Sequence, residues 1–379
     1  MAQDAAARYG ADMTGQDPKK RRGKLRTIEA LRGVAAFSVV LSHVTASLVQ
    51  NPELGAGHLR GLVLPGGLGV EFFFTLSGFV MAMTHGDQIG QPRAVPGFLW
   101  TRLRRLYPLL WVVLGLQCLL NPGVAGLFTV GQWINWITLN PAQVLDLISV
   151  LWTLKLEVCF YGLLALAMLP VVGRGVLVAW VLASPVLLLW GAVQPTMLAW
   201  EAAYPLLYLF LVFSPDFLLG FGFGFVDRRV VAPGWVGVAL AAAGVALIGG
   251  RLPFDGWGES YGPFGMRYLY GVGFGAILIG CAAVERAGLW RPGWVAGVLG
   301  ALSYPIYLSH LVVLDWLRRM VPMPRFGVVE AADSFAVLGV VASLGVGAAL
   351  AYGVDRPLQA LLRGRRRSVV EPGGLEGIG

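Results

Sequence analysis

Long apolar runs, separated by short polar and basic stretches, dominate this chain. A helix that crosses the hydrocarbon core of a bilayer needs roughly 20 mostly apolar residues. Ten runs approach or reach that length, and their limits are 28–49, 68–84, 105–120, 150–170, 175–193, 204–226, 234–250, 266–284, 294–316 and 335–355. We expect a further apolar segment, 124–140, to lie at the membrane interface because it is rich in polar and aromatic residues. The pattern predicts an all-α, polytopic membrane bundle of about ten transmembrane helices.

Composition supports this class and excludes others. The 379 residues are 56% apolar and 13% charged, whereas an ordinary soluble domain carries about 25% charged residues. The unbroken apolar runs also differ from the alternating strands of an outer-membrane barrel. The three cysteines lie far apart in apolar runs, without a CxxC pair or a Cys/His cluster, so we predict no metal site and no redox site.

Basic residues are distributed unevenly between the two sides of such a bundle. With the N-terminus inside, 20 of the 29 lysines and arginines fall in cytosolic segments and 6 fall outside. Cytosolic loops carry an excess of Lys and Arg, so we predict that both termini are cytosolic, in a multi-pass protein of the inner or plasma membrane. Basic loops beside anionic membrane lipid account for the net charge of +8, and no nucleic-acid partner is predicted.

The chain divides into one membrane domain and two short tails. Residues 1–25 are polar, basic and aperiodic, which predicts a disordered N-terminal tail. Residues 26–357 contain all ten runs and form the predicted membrane domain. Residues 358–379 are basic and then glycine-rich, and we predict a short cytosolic tail there.

The first run contains two ionisable residues that are candidates for a functional site. Burying an ionisable group in the middle of a membrane span costs about 2.5–3.5 kcal/mol. Arg32 and His43 are eleven residues apart, which on a helix is three turns plus about 20°. Both therefore lie on one face, about 16 Å apart along the axis. A cation near the cytosolic end and a deeper imidazole suit an anionic substrate from the cytosol. The alternative is a snorkelling arginine and a histidine that merely completes a hydrogen bond.

The second run and the segment after it carry further candidates. Glu71 lies near the outer end of the second run, followed by Ser77 and Gly78, which close helix packing would also explain. Arg102 and Arg105 are three residues apart and share one helical face. They predict either a positive-inside signal or an arginine clamp for phosphate.

The fourth and ninth runs also contain polar residues. Lys155 and Glu157 are two apart and do not face each other. A carboxylate two turns into a span needs a partner, and His43 is a plausible one. The ninth run places Ser303, Tyr307 and His310 on one face, either as a site or as a polar stripe between helices.

The end of the tenth run is marked by Asp355-Arg356-Pro357, where we expect the proline to stop the helix. Alternatively, the aspartate and the arginine form only an ion pair at the membrane interface, without a role in function.

The order of these features resembles the acyltransferase-3 family of integral-membrane O-acyltransferases, from about 25 to 363. Arg32 and His43 meet the family pattern of a basic residue, ten intervening residues and a histidine. Asp355 departs from it, because glutamate is more usual there. The blocks that carry the resemblance are RTIEALRGVAAFSVVLSHV, GGLGVEFFFTLSGFVM, the Phe-Arg-Arg-Tyr-Pro pattern around 98–108, LWTLKLEVCFYGLL, LSYPIYLSH and DRP.

The resemblance implies an enzyme that transfers acyl groups other than aminoacyl groups, often acetyl, from acyl-CoA to a hydroxyl of an envelope carbohydrate or glycolipid. No permanently bound cofactor is implied, and acyl-CoA is the donor substrate. Arg32, Arg102 and Arg105 would hold its phosphates. Neutral imidazole accepts protons near neutral pH, so His43 would act as the base, with Glu157 or Glu71 orienting it.

Two other functions remain open at this stage. The acceptor could instead be a small metabolite such as a macrolide, with the same chemistry. A ten-span secondary transporter also has intramembrane charges and broken helices, and many transporters contain two related halves. We find no such similarity between 28–200 and 204–356, which favours the acyltransferase.

Overall fold

A computed structural model describes residues 25–50, 66–123, 125–141, 146–170, 172–193, 205–250, 264–320 and 328–363. Its regular elements are helical, and these ranges contain no strand. The α-helices are α1 Arg26–Gln50, α2 Gly66–His85, α3 Val95–Leu120, α4 Val130–Thr138, α5 Leu151–Ala167, α6 Gly173–Val193, α7 Pro205–Arg229, α8 Gly234–Gly249, α9 Phe264–Arg286, α10 Trp294–Met320, α11 Val328–Leu350 and α12 Arg356–Leu362. The all-α prediction is confirmed for the described chain.

Each predicted apolar run coincides with one of the longer helices, which are α1–α3 and α5–α11. Within the described ranges, six helical stretches are long and apolar enough to cross a membrane, and two shorter helices are also apolar. The six are Arg26–Leu48, Leu68–Gln88, Pro92–Leu120, Tyr268–Arg286, Trp294–Met320 and Ala332–Leu362. That the chain crosses the membrane ten times, and that both of its termini are cytosolic, stay predictions. Most of the two predicted tails lies outside the described residues.

Helix α3 begins earlier than predicted, and the segment predicted to lie at the interface contains a short helix. Helix α3 begins at Val95, ten residues before the apolar run, with Pro96 in its first turn, where a missing N–H group costs no hydrogen bond. Its extra turns place Arg102 on the helix itself, one turn before Arg105. The segment 124–140 contains the short helix α4, which begins with a capping box between Thr129 and Gln132.

The expectation that Pro357 stops a helix is wrong. Helix α11 passes into a π-helical turn, Ala351–Asp355, and α12 follows directly at Arg356. Pro357 therefore lies in the first turn of α12, where proline is well tolerated because the N–H group there has no partner in the helix.

Helix α1 contacts α2, α9, α10 and α11. The Glu285 carboxylate at the end of α9 accepts hydrogen bonds from the backbone N–H groups of Arg26 and Thr27, at 2.9 and 2.8 Å. These are free N–H groups of the first turn of α1, so Glu285 caps that helix. The cap fixes the end of α1 that is nearer to Arg32.

Helices α2 and α7 approach closely through glycines. A Cβ atom at Gly78 would overlap the Phe217 carbonyl of α7, and one at Gly220 would overlap the Thr75 carbonyl of α2. Small residues of this kind let helix backbones approach each other in membranes. Close helix packing therefore explains Gly78. The adjacent Ser77 faces the neighbouring helices.

We expect Gly220→Ala to destabilise the protein by about 1–3 kcal/mol, because the new methyl group meets backbone that cannot move aside. Gly222→Ala on the same helix is the matched control, since its Cβ would meet no atom of the described residues within 4 Å. Thermal unfolding in detergent measures both. Equal unfolding temperatures for the two variants would contradict the close α2–α7 contact.

Candidate active site

A cavity opens among α1, α2, α3, α5 and α10, with an empty volume of about 840 Å³ including its mouth. Three arginines line it, Arg32, Arg102 and Arg105, so we name it the arginine cavity. Its walls are mostly apolar and aromatic. Polar lining comes from Ser77, Thr153, Glu157, Tyr161, Ser303, Tyr304 and Tyr307.

A carboxylate balances part of this positive charge. Glu157 Oε1 accepts hydrogen bonds from the Tyr161 hydroxyl, one turn along α5, and from Ser77 Oγ at 3.5 Å. Arg32 interacts electrostatically with Glu157 and also with Arg105. Three cations around one carboxylate leave the cavity with a net positive charge, which attracts an anionic ligand.

The three arginines are not equivalent. Arg102 is 6% exposed, and its Nη2 donates to His85 Nε2 at 2.8 Å and to Thr84 Oγ1 at 3.3 Å. Arg105 is exposed and forms no hydrogen bond with a described residue. Arg105 can therefore offer its whole donor fork to a ligand, whereas Arg102 also helps to hold the end of α2.

Two histidines, His43 and His310, lie next to each other close to this cavity, on the far side of the lining residue Tyr307. Nε2 of His310 lies 3.2 Å from Nδ1 of His43, and the ring centroids are 5.0 Å apart. Nδ1 of His43 lies 3.0 Å from the Val39 carbonyl, and Nδ1 of His310 lies 2.7 Å from the Tyr307 carbonyl. Because carbonyls only accept, both Nδ1 atoms carry the proton in the neutral pair. Nε2 of His43 then keeps its lone pair.

The histidine pair lies behind the wall of the arginine cavity. His310 is fully buried, and its ring centroid is 6.0 Å from that of Tyr307, which lines the cavity. The Tyr307 hydroxyl lies 2.7 Å from Thr153 Oγ1. Tyr307 thus connects the cavity to His310, and His310 connects to His43.

Most of the residues expected from the sequence converge on this region. Seven line the cavity, and two form the histidine pair beside it. Glu71 is buried on α2 outside the lining, and Lys155 faces another direction, where it pairs with Asp146. The seven lining residues are Arg32, Ser77, Arg102, Arg105, Glu157, Ser303 and Tyr307.

The proposed contact between Glu157 and His43 is not the one found. The Glu157 carboxylate binds Ser77 and Tyr161, while the His43 ring contacts His310. Among the described residues, His43 has no carboxylate partner. Glu157 instead stands among the arginines, where it neutralises charge.

Sequence reasoning overlooked three residues of the site. Tyr161 lies four residues after Glu157, a helical spacing that could have indicated the contact. The Tyr304 hydroxyl donates to the Leu106 carbonyl at 2.8 Å, and Thr153 binds Tyr307. Nothing in the local sequence signals these last two pairings, because their partners lie on distant parts of the chain.

No group of three or more His, Cys, Asp or Glu residues that could hold a metal ion occurs in the described part of the chain. The charged groups of the site are arginines and one carboxylate, a set suited to an anionic organic ligand.

Comparison with known proteins adds independent information. A family model described as an acyltransferase domain matches residues 25–352. The exopolysaccharide production protein ExoZ of Rhizobium meliloti (strain 1021) is 30% identical over 331 residues, covering 80% of this chain and 92% of ExoZ. Protein 2 in the picA locus of Rhizobium radiobacter is 34% identical over 91 residues, or 24% of this chain and 42% of that protein. No solved structure gives a significant match.

Proposed function

Because the chain belongs to the acyltransferase-3 family, we propose that it is an acyl-CoA-dependent O-acyltransferase of the inner or plasma membrane. The acceptor is a hydroxyl of an envelope carbohydrate or glycolipid, and the acyl group is acetyl. One observation carries the proposal. A positively charged cavity extends to Tyr307, and directly behind Tyr307 lies a histidine pair in which the Nδ1 atom of His43 holds the proton and its Nε2 atom keeps the lone pair.

The donor enters the arginine cavity with its phosphates toward Arg105 and Arg32. Arginine forks bind phosphate oxygens in pairs, and these charge-assisted bonds are stronger than neutral ones. The apolar and aromatic walls accept the rest of the pantetheine arm and the acyl group. The thioester then lies toward Tyr307 and the histidine pair.

The reaction is a direct transfer with His43 as general base. Nε2 of His43 accepts the proton of the acceptor hydroxyl while the hydroxyl oxygen attacks the thioester carbonyl carbon. The new C–O bond forms, the C–S bond breaks, and the proton passes from His43 to the leaving sulfur. The products are the ester and free coenzyme A.

His310 supports the base. Its Nε2 lone pair lies 3.2 Å from Nδ1 of His43, so it shares the single Nδ1–H of His43 with the Val39 carbonyl, and both contacts strengthen when His43 becomes an imidazolium. The Tyr307 carbonyl holds His310 in the required tautomer. His310 is therefore a positioning residue in this proposal.

The carbohydrate acceptor is supported by the ExoZ similarity, since that protein's name refers to exopolysaccharide production. A small metabolite such as a macrolide would use the same chemistry. A transfer assay with labelled acetyl-CoA separates the two acceptors. It would use purified protein in nanodiscs and offer each class in turn.

We expect Arg105→Gln to raise the acetyl-CoA concentration for half-maximal binding by about tenfold, because a charge-assisted hydrogen bond to phosphate contributes about 1.5–3 kcal/mol. Arg104→Gln, at the preceding position of α3 and outside the cavity lining, is the matched control. Calorimetric titration measures both. If wild type binds no acyl-CoA, or if the two variants bind alike, the donor assignment is wrong.

A further inference from the structure

A second cavity lies farther along the same helices, with an empty volume of about 990 Å³ including its mouth. Asp146 and Asp315 line it, so we name it the aspartate cavity; Ser47, Gln117, Ser149 and Arg318 are also in its wall. Small-ligand pockets are about 300–1,000 Å³, mostly apolar with a few placed polar groups. The size fits that description, while seven of the thirteen lining residues are polar or charged, a larger share than in a typical small-ligand pocket.

The histidine pair lies between the two cavities on both helices that carry it. Along α1, Arg32 lines the arginine cavity, His43 follows, and Ser47 lines the aspartate cavity one turn later. Ser47 Oγ donates to the His43 carbonyl at 2.8 Å. The aspartate cavity thus begins about 6 Å beyond His43 along the helix.

Helix α10 shows the same order. Tyr307 lines the arginine cavity, His310 contacts His43, and Leu311 and Asp315 line the aspartate cavity. On α3, Arg105 and Gln117 line the two cavities from positions about 18 Å apart along the axis. The cavities therefore approach the histidine pair from opposite ends.

The aspartate cavity contains both donors and acceptors. Gln117 is 7% exposed, and its Oε1 forms no hydrogen bond with any described residue. The Asp315 carboxylate accepts from Arg318 at 3.0 Å and from Arg319 at 2.8 Å, beside the cavity mouth. A hydroxyl both donates and accepts hydrogen bonds, so a mixed lining of this kind suits a neutral ligand with several hydroxyls.

We propose that the aspartate cavity binds the acyl acceptor, a carbohydrate that presents a hydroxyl to His43 from the end opposite to the donor. The inference rests on the proposed function. Gln117 Oε1 accepts a hydrogen bond from one acceptor hydroxyl. A second hydroxyl gives its proton to Nε2 of His43, its oxygen forms the C–O bond with the acyl carbon, and the C–S bond breaks to release coenzyme A.

The test compares acceptor and donor dependence in one assay. The donor is labelled acetyl-CoA, and the acceptor is the carbohydrate extracted from cells that lack the enzyme. We expect Gln117→Leu to raise the acceptor concentration for half-maximal rate about tenfold, with an unchanged donor requirement. Arg105→Gln should do the reverse. Thr138→Val, outside the cavity lining, should change neither.

A second variant covers the case in which Gln117→Leu does not fold. Ser149 lies at an exposed position of the lining, so Ser149→Trp fills the mouth without disturbing buried packing. We expect it to abolish transfer to carbohydrate while acetyl-CoA still binds.

The outcomes are distinct. Normal acceptor dependence in both variants, with an active wild type, overturns the acceptor site and leaves the proposed function intact. A raised donor requirement in Gln117→Leu also overturns it, because the cavity would then belong to the donor. No transfer by wild type overturns the proposed function, and the acceptor site fails with it.

Discussion

His43→Ala is expected to lower acyl transfer by about 10²–10⁴-fold, the range that general-base catalysis typically contributes. Donor binding should remain near the wild-type level, because His43 is outside the lining of the arginine cavity and contacts His310, which lies behind the lining residue Tyr307. The measurement is single-turnover transfer from saturating acetyl-CoA, combined with a calorimetric titration of the donor. A loss of rate without a loss of binding identifies a residue that acts on the chemical step.

The conservative variant His43→Gln makes this test sharper. A glutamine side chain can still donate a hydrogen bond, as Nδ1 of His43 does toward the Val39 carbonyl, but it cannot take up a proton at neutral pH. We therefore expect His43→Gln to fold like wild type and to be as inactive as His43→Ala. Near wild-type turnover by a folded His43→Gln protein would refute the role of His43 as the general base.

Lys155→Met is expected to destabilise the protein by about 3–5 kcal/mol, the usual cost of removing one partner from a buried ion pair. Both side chains are buried: Lys155 is 0% exposed and Asp146 is 5% exposed. The variant leaves a carboxylate in that environment without its cation. Thermal unfolding in detergent, together with the yield of folded protein, measures the loss.

The control is the double variant Lys155→Met/Asp146→Leu. Replacing a whole buried pair with apolar side chains is often neutral or stabilising, so the double variant should regain most of the lost stability. If Lys155→Met is at least as stable as the double variant, Lys155 does not compensate the buried negative charge of Asp146.

Acidity provides a second check on the same pair. Burial raises the pKa of the Asp146 carboxyl above its ordinary value, and the hydrogen bond and charge of Lys155 oppose that rise. Without Lys155, the folded protein binds a proton at Asp146 more readily than the unfolded chain does. The stability of Lys155→Met should therefore increase as the pH falls through the range between the two pKa values.

The positions of the long helices could be predicted because uninterrupted apolar runs have few other structures available in a membrane. Their ends were harder to place. The turns of α3 from Val95 to Arg104 resemble a loop because they contain Gly97 and two arginines, although Pro96 is suited to a helix start. Pro357 was expected to end a helix, but it lies in the first turn of α12.

The site was predictable residue by residue but not in its contacts. Arg32 and His43 share one helix, so their relation follows from helical periodicity. His43 and His310 are 267 residues apart in the chain, and only the packing of α1 against α10 brings their rings together. Glu157 was assigned to the wrong partner for the same reason, because the sequence does not specify which helices are neighbours.

The π-helical turn between α11 and α12 has a consequence for changes in chain length. A π turn contains one residue more than an α turn, and one residue corresponds to about 100° of rotation on a helix. Gln359 donates to the Arg104 carbonyl of α3 at 2.9 Å, which requires the present rotation of α12. Deleting a single residue from Ala351–Asp355 would turn Gln359 away from α3, so the length of this turn sets the direction in which the last helix faces.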